Sequence, residues 1–102
     1  MRPYHDDSDL PPEFQRPPDC VYVIRAYPSG MLKIGRTRHV ERRLRELQSC
    51  NWETLVVILE IPDDRNLERK LHERFRSCCI AREWFRPEPK LVEWLVKQGA
   101  EM

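Results

Sequence analysis

The feature that most constrains this chain is Val21-Tyr22-Val23-Ile24, four consecutive β-branched and aromatic residues with no polar position among them. A strand with one wet face alternates polar and apolar residues. A run without alternation predicts a strand covered on both faces, central in a sheet with packing layers on either side. Tyr27-Pro28-Ser29-Gly30 then supplies turn chemistry, and Met31 to Gly35 makes the return, so the folded body opens with a β-hairpin. A chain of 102 residues holds one such core and has no room for two domains.

Past the hairpin the hydrophobic period changes. Val40, Leu44 and Leu47 recur at helical spacing after Thr37, a candidate N-cap, and predict an amphipathic helix ending near Cys50 or Asn51. Leu55 to Ile61 is nearly all apolar and reads as a third strand, closed by Pro62. Asp63 or Asp64 is placed to cap a second helix with Leu67, Leu71, Phe75 and Cys78 on one stripe. Arg82 to Arg86 suggests a short extended piece. Pro89 and Gly99 bracket a third helix from Lys90 to Gln98, with Leu91, Trp94 and Leu95 inward. The expectation is an α+β fold, order β-β-α-β-α-(β)-α, with a small central three-stranded sheet and helices packed around it.

Residues 1–19 carry five of the nine prolines and the acids Asp6, Asp7, Asp9, Glu13 and Asp19, which predicts an extended or disordered acidic leader before a single domain spanning 20–102. Residues 20–86 hold 14 Lys and Arg against 9 Asp and Glu, a basic body suited to a polyanionic partner. No apolar run approaches a membrane span and no secretory signal opens the chain, so a cytoplasmic protein without membrane contact is expected. Cys20, Cys50, Cys78 and Cys79 have neither the spacing of a disulfide framework nor that of a zinc site. They read as reduced, mostly buried small apolar residues.

Placing helical residues at about 100° per step sets Arg43 on the border of the Val40, Leu44, Leu47 stripe, while Arg42 and Arg45 point to solvent. The same construction sets Glu68 and His72 on the border of the Leu67, Leu71, Phe75 stripe. Border positions hold an ionisable group by packing yet leave it in reach of solvent, as a preorganised site requires. They also host ordinary ion pairs, and spacing alone leaves both readings open. Inside an apolar strand Tyr22 reads first as core and beside that as a site residue, and Gly35 reads as a place of close backbone approach or a bend.

Several fragments in order resemble the GIY-YIG nuclease superfamily over about residues 20–86. Cys20-Val21-Tyr22 and Lys33-Ile34-Gly35 are similar to its two naming half-motifs, with Lys33 in the place of the second tyrosine. Arg43 stands where that family carries a helix arginine, and Glu68, heading Glu68-Arg69-Lys70-Leu71-His72-Glu73-Arg74-Phe75, resembles its metal-binding glutamate. Glu83-Trp84-Phe85 resembles a closing signature of small stand-alone members of the phage and fungal branch.

The resemblance implies Mg²⁺-dependent hydrolysis of a DNA phosphodiester, with Tyr22, Lys33, Arg43 and Glu68 catalytic. Glu68 would hold the magnesium, and Arg43 would stabilise the phosphate as its charge builds. Tyr22 would orient the attacking water or accept its proton, with Lys33 favouring the phenolate or holding the phosphate backbone. Arg36, Arg38, Arg69 and His72 are candidates for contacting DNA, and Arg74 for steering it. Two rivals stand beside this reading: a catalytically silent nucleic-acid-binding module on the same scaffold, and a protein-interaction domain using the acidic leader. Sequence specificity would come from a partner or an oligomer.

Overall fold

The structure is a computed structural model that describes residues 19–63 and 66–102. The expected leader therefore lies outside the described residues except for Asp19, and so does Asp64, one of the two candidate caps. Five strands and three helices follow in the order β1 Cys20–Tyr27, β2 Leu32–Thr37, α1 Val40–Ser49, β3 Thr54–Pro62, α2 Leu67–Arg74, β4 Cys79–Ala81, β5 Trp84–Phe85 and α3 Pro89–Lys97. A single 3-10 turn, Arg76–Cys78, joins α2 to β4.

The apolar run lies in β1, which pairs antiparallel with β2 on one side and β3 on the other. Its two faces build two cores. Val21 and Val23, with Leu32, Ile34, Ile58 and Leu59, meet Leu71 and Phe75 around α2 and Leu91 and Leu95 of α3. Tyr22, Ile24, Ala26 and Leu55 meet Val40, Leu44 and Leu47 of α1. Coverage of both faces is why β1 tolerates no polar residue between Val21 and Ile24, all of them at most 1% exposed.

The expected three-stranded sheet is too small. It has five strands in the order β3-β1-β2-β5-β4, all pairs antiparallel. The two added strands have three and two residues, so they carry no readable period, and Phe85 holds them through burial in the α2 and α3 core. β5 pairs with β2 only at Leu32 and Lys33. One further bond follows, from Ile34 N–H to Glu83 O at 3.0 Å, and past it no strand among the described residues pairs with the outer edge of β2. That short β5 leaves the gap in which the candidate site is built.

The helix starts depart from the sequence expectations. Thr37 does not cap α1; its Oγ1 accepts from His39 N–H at 3.2 Å, a local turn just ahead of the helix. Asp63 Oδ1 does accept from Leu67 N–H at 2.8 Å, but Asn66 is the residue entering α2, in the left-handed region at φ 63°. α2 ends at Arg74, so Phe75 and Cys78 complete its buried stripe from beyond the helix. α1 has no fully buried residue, because Val40, Leu44 and Leu47 are only half covered. The four cysteines are free. Cys78 is buried and Cys20 and Cys79 are half-buried, but Cys50, expected inside, is exposed at the end of α1. Among the described residues no helix is long and apolar enough to cross a membrane.

Candidate active site

Strand register puts Tyr22 opposite Gly35 across β1 and β2. The phenol ring crosses β2 over that glycine. A methyl group placed on Gly35 would overlap the Tyr22 hydroxyl and Cζ and lie 2.8 Å from Glu83 Oε1. Gly35 thus provides the passage that brings the phenol to the outer edge of β2. Of the two roles read from sequence, close approach is the one observed.

Four charged side chains surround that passage. Lys33, on the same face as Tyr22, is 6% exposed. Its Nζ lies 3.3 Å from Glu83 Oε1 and over the Trp84 ring at 5.7 Å. From α1, Arg43 comes near enough for its charge to act on the phenol, and lies 3.5 Å from Glu46 Oε1. From the other face of the sheet comes Glu68, in the first turn of α2, close enough for its charge to act on the phenol.

His72, one turn after Glu68, lies with Nε2 4.0 Å from a Glu68 oxygen and 2.9 Å from Ile34 O. A carbonyl can only accept, so Nε2 carries the proton in that bond. His72 thereby caps the backbone group that β5 leaves unpaired. Its edge-on contact with Phe85, centroids 5.1 Å apart, fixes the ring. In this arrangement Nε2 of His72, one of the residues expected to contact DNA, is engaged with the backbone.

Burial raises the Tyr22 pKa above the usual tyrosine range; Arg43 pulls it down through its hydrogen bond and charge, but Glu83 and Glu68 push it further up. The phenol therefore keeps its proton at neutral pH. The expected phenolate, stabilised by Lys33, is not supported by this arrangement, because Lys33 turns its ammonium to Glu83. Tyr22 is also 1% exposed, so it acts from behind the groups that solvent reaches. Those groups are more open: the Arg43 side chain is 43% exposed, Glu83 36% and Glu68 28%.

Arg36 and Arg38 are elsewhere engaged. Asp19 Oδ2 accepts from Arg36 Nε and Asp19 Oδ1 from Arg38 Nε, each at 3.0 Å. Asp63 Oδ2 adds an ion pair with Arg36 at 2.8 Å. Partial burial raises the Asp19 pKa, yet the two guanidiniums outweigh it and hold the carboxyl below its ordinary range. The ties are thus present at neutral pH and disappear only as pH falls through that depressed value. Arg69 is exposed on α2, whereas Arg36, also exposed, lies on β2 and Arg38, half-buried, in the loop that follows it.

Glu83 was not among the residues singled out for chemistry. Its nearness to Tyr22 follows from the bend at Arg82, which has φ 51°, and from the bond between Glu83 O and Ile34. Neither leaves a periodic trace in sequence.

Comparison with protein-family models finds a match to the T5orf172 domain over residues 19–98. The chain belongs to the T5orf172 domain family. The matched stretch takes in every element of the sheet and all three helices, so Tyr22, Lys33, Arg43, Glu68 and Glu83 all lie inside the T5orf172 domain. No curated protein and no solved structure matches the chain.

Proposed function

We propose that this T5orf172 domain is a GIY-YIG-type, metal-dependent endonuclease that hydrolyses DNA phosphodiesters. The observation that carries the reading is that Tyr22 and Glu83 adjoin at Gly35, which lets the phenol reach the outer edge of β2, with Arg43 of α1 and Glu68 of α2 near enough for their charges to act on the phenol. The family match and the resemblance of the motif fragments to the GIY-YIG superfamily support it.

Each group has a task its chemistry suits. The planar, permanently charged guanidinium of Arg43 donates paired hydrogen bonds to a phosphate whose charge grows in the transition state. Tyr22, protonated, orients Arg43 and the reacting centre. Glu68 fits magnesium. Among the described residues no three metal-ligating side chains cluster, and Glu68 has one ion-pair contact, His72 at 4.0 Å. One half-open carboxylate suits a hard cation that completes its shell with water and phosphate oxygen. Such an ion, when bound, supplies charge neutralisation at the departing oxygen.

Wild-type protein is expected to relax supercoiled plasmid with Mg²⁺ and not with chelator. Inertness with every divalent cation contradicts the reading. The burial of Tyr22 favours one alternative, the silent binding module, which predicts a salt-sensitive shift of DNA without any cleavage.

On the same reading Arg38 reaches DNA only by giving up Asp19, and Arg36 only by giving up both Asp19 and Asp63. Asp19→Asn is therefore expected to tighten binding of a short duplex and to steepen its salt dependence by about one phosphate contact, read by fluorescence anisotropy across a salt series. Unchanged affinity and slope would show that Arg38 takes no part in binding.

A further inference from the structure

We propose that Glu83 is the catalytic base of the site, the group that takes the proton of the attacking water. The inference rests on the endonuclease reading and adds to it the residue that performs proton transfer. A base must be open to the water it deprotonates, and must be able to accept a proton at neutral pH. Tyr22 fails on the first count, at 1% exposed, and its phenol oxygen already carries a hydrogen. Lys33 fails on the first count, being 6% exposed. Arg43 has no acceptor at all. Glu68 is the carboxylate assigned to the metal. Glu83 remains, a carboxylate 36% open to solvent.

The surroundings of Glu83 are those of a positioned acceptor. The β4–β5 connection is two residues long, Arg82 and Glu83, and the Arg82 carbonyl accepts from Cys79 Sγ at 3.1 Å. Glu83 O accepts from Ile34 N–H at 3.0 Å, which anchors its backbone to β2 beside Gly35. Its side chain is then aimed by Lys33 at 3.3 Å, which holds Oε1 near the point where a Gly35 side chain would begin. The Tyr22 hydroxyl borders the same point. The carboxylate has two oxygens, and the lysine contact is made by Oε1 alone.

In the step assigned to it, a water oxygen forms a bond to phosphorus while one of its hydrogens passes to a Glu83 oxygen. The bond from phosphorus to the departing oxygen breaks, and that oxygen takes a proton from solvent. Glu83 then returns its proton to the hydroxide so formed. One water is consumed for each phosphodiester opened, and no electrons change hands.

The test compares wild type, Glu83→Gln and Glu83→Ala in Mg²⁺-dependent plasmid relaxation, with duplex binding and thermal melting measured on each. Glutamine keeps an oxygen to accept from Lys33, so Glu83→Gln is expected to melt and bind DNA as wild type does but to cleave about 10²-fold or more slowly. Glu83→Ala is expected to be as slow and to regain cleavage when formate is added as an external carboxylate. Cleavage by Glu83→Gln at the wild-type rate would overturn the proposal and leave the endonuclease reading intact. Loss of activity that tracks loss of melting temperature, without rescue by formate, would make Glu83 a structural partner of Lys33 and would overturn it equally. A wild-type protein inert with every divalent cation removes the endonuclease reading, and the assignment of Glu83 falls with it.

Discussion

Arg43→Ala is expected to lower the rate of DNA cleavage by about 10²–10³-fold, the loss seen when a preorganised donor to a developing negative charge is removed. The size follows from the environment of the guanidinium. Arg43 is 43% exposed, open enough to meet a phosphate, yet is held on one side by Tyr22 and on the other by Glu46 at 3.5 Å. Little of the fold depends on it, because α1 packs through Val40, Leu44 and Leu47. The melting temperature should therefore stay near that of wild type while activity collapses. Arg43→Lys keeps the charge but loses the planar fork, and an intermediate rate is expected. Plasmid cleavage and melting curves on the three proteins decide the matter; full activity in Arg43→Ala would remove Arg43 from the site.

Gly35→Ala should damage both stability and activity. The added methyl overlaps the end of the Tyr22 ring, and that ring is buried against α1 with no free volume to receive it. Either the phenol swings from its passage or β1 and β2 shift apart. Overpacking of this kind costs about 1–3 kcal/mol. Displacing the phenol also removes the partner of Arg43 and presses on Glu83 Oε1, 2.8 Å from the new carbon. Cleavage should fall even at temperatures where the variant is fully folded. A companion change, Tyr22→Phe, removes the hydroxyl that suffers one of the overlaps and should recover part of the stability but none of the activity. Denaturant melts of the single and double variants read the first effect, and plasmid relaxation the second. A Gly35→Ala protein as stable and active as wild type would mean that the phenol does not lie across β2.

Much of this architecture was legible because its signals are periodic. The unbroken apolar run from Val21 to Ile24 announced a strand covered on both faces, and the spacings of Val40, Leu44 and Leu47 and of Leu67 and Leu71 announced the helices that cover it. The same periodicity put Arg43 and Glu68 at the borders of their buried stripes, flanking the two faces of one sheet. What was not legible depends on pairing between distant residues. β4 and β5 are too short to show alternation, so the sheet was read as three strands. Glu83 gains its position from one backbone bond to Ile34 and one side-chain contact to Lys33, fifty residues away in the chain.

Two further differences have equally local causes. Lys33, read as a support for a Tyr22 phenolate or a holder of the phosphate backbone, turns to Glu83, and burial keeps the phenol protonated. Arg36 and Arg38, read as candidates for contacting DNA, meet Asp19, which the sequence assigned to the leader.

The central claim is that these groups form one hydrolytic centre served by the carboxylate of Glu68. Its most direct test is the Mg²⁺-dependent rate of plasmid relaxation by wild type and by Glu68→Ala, each at a protein concentration that saturates DNA binding. The account predicts cleavage that rises with Mg²⁺ for wild type, and none above background at any Mg²⁺ concentration for a Glu68→Ala protein that still folds and binds DNA. Equal Mg²⁺-dependent rates in the two proteins would contradict it.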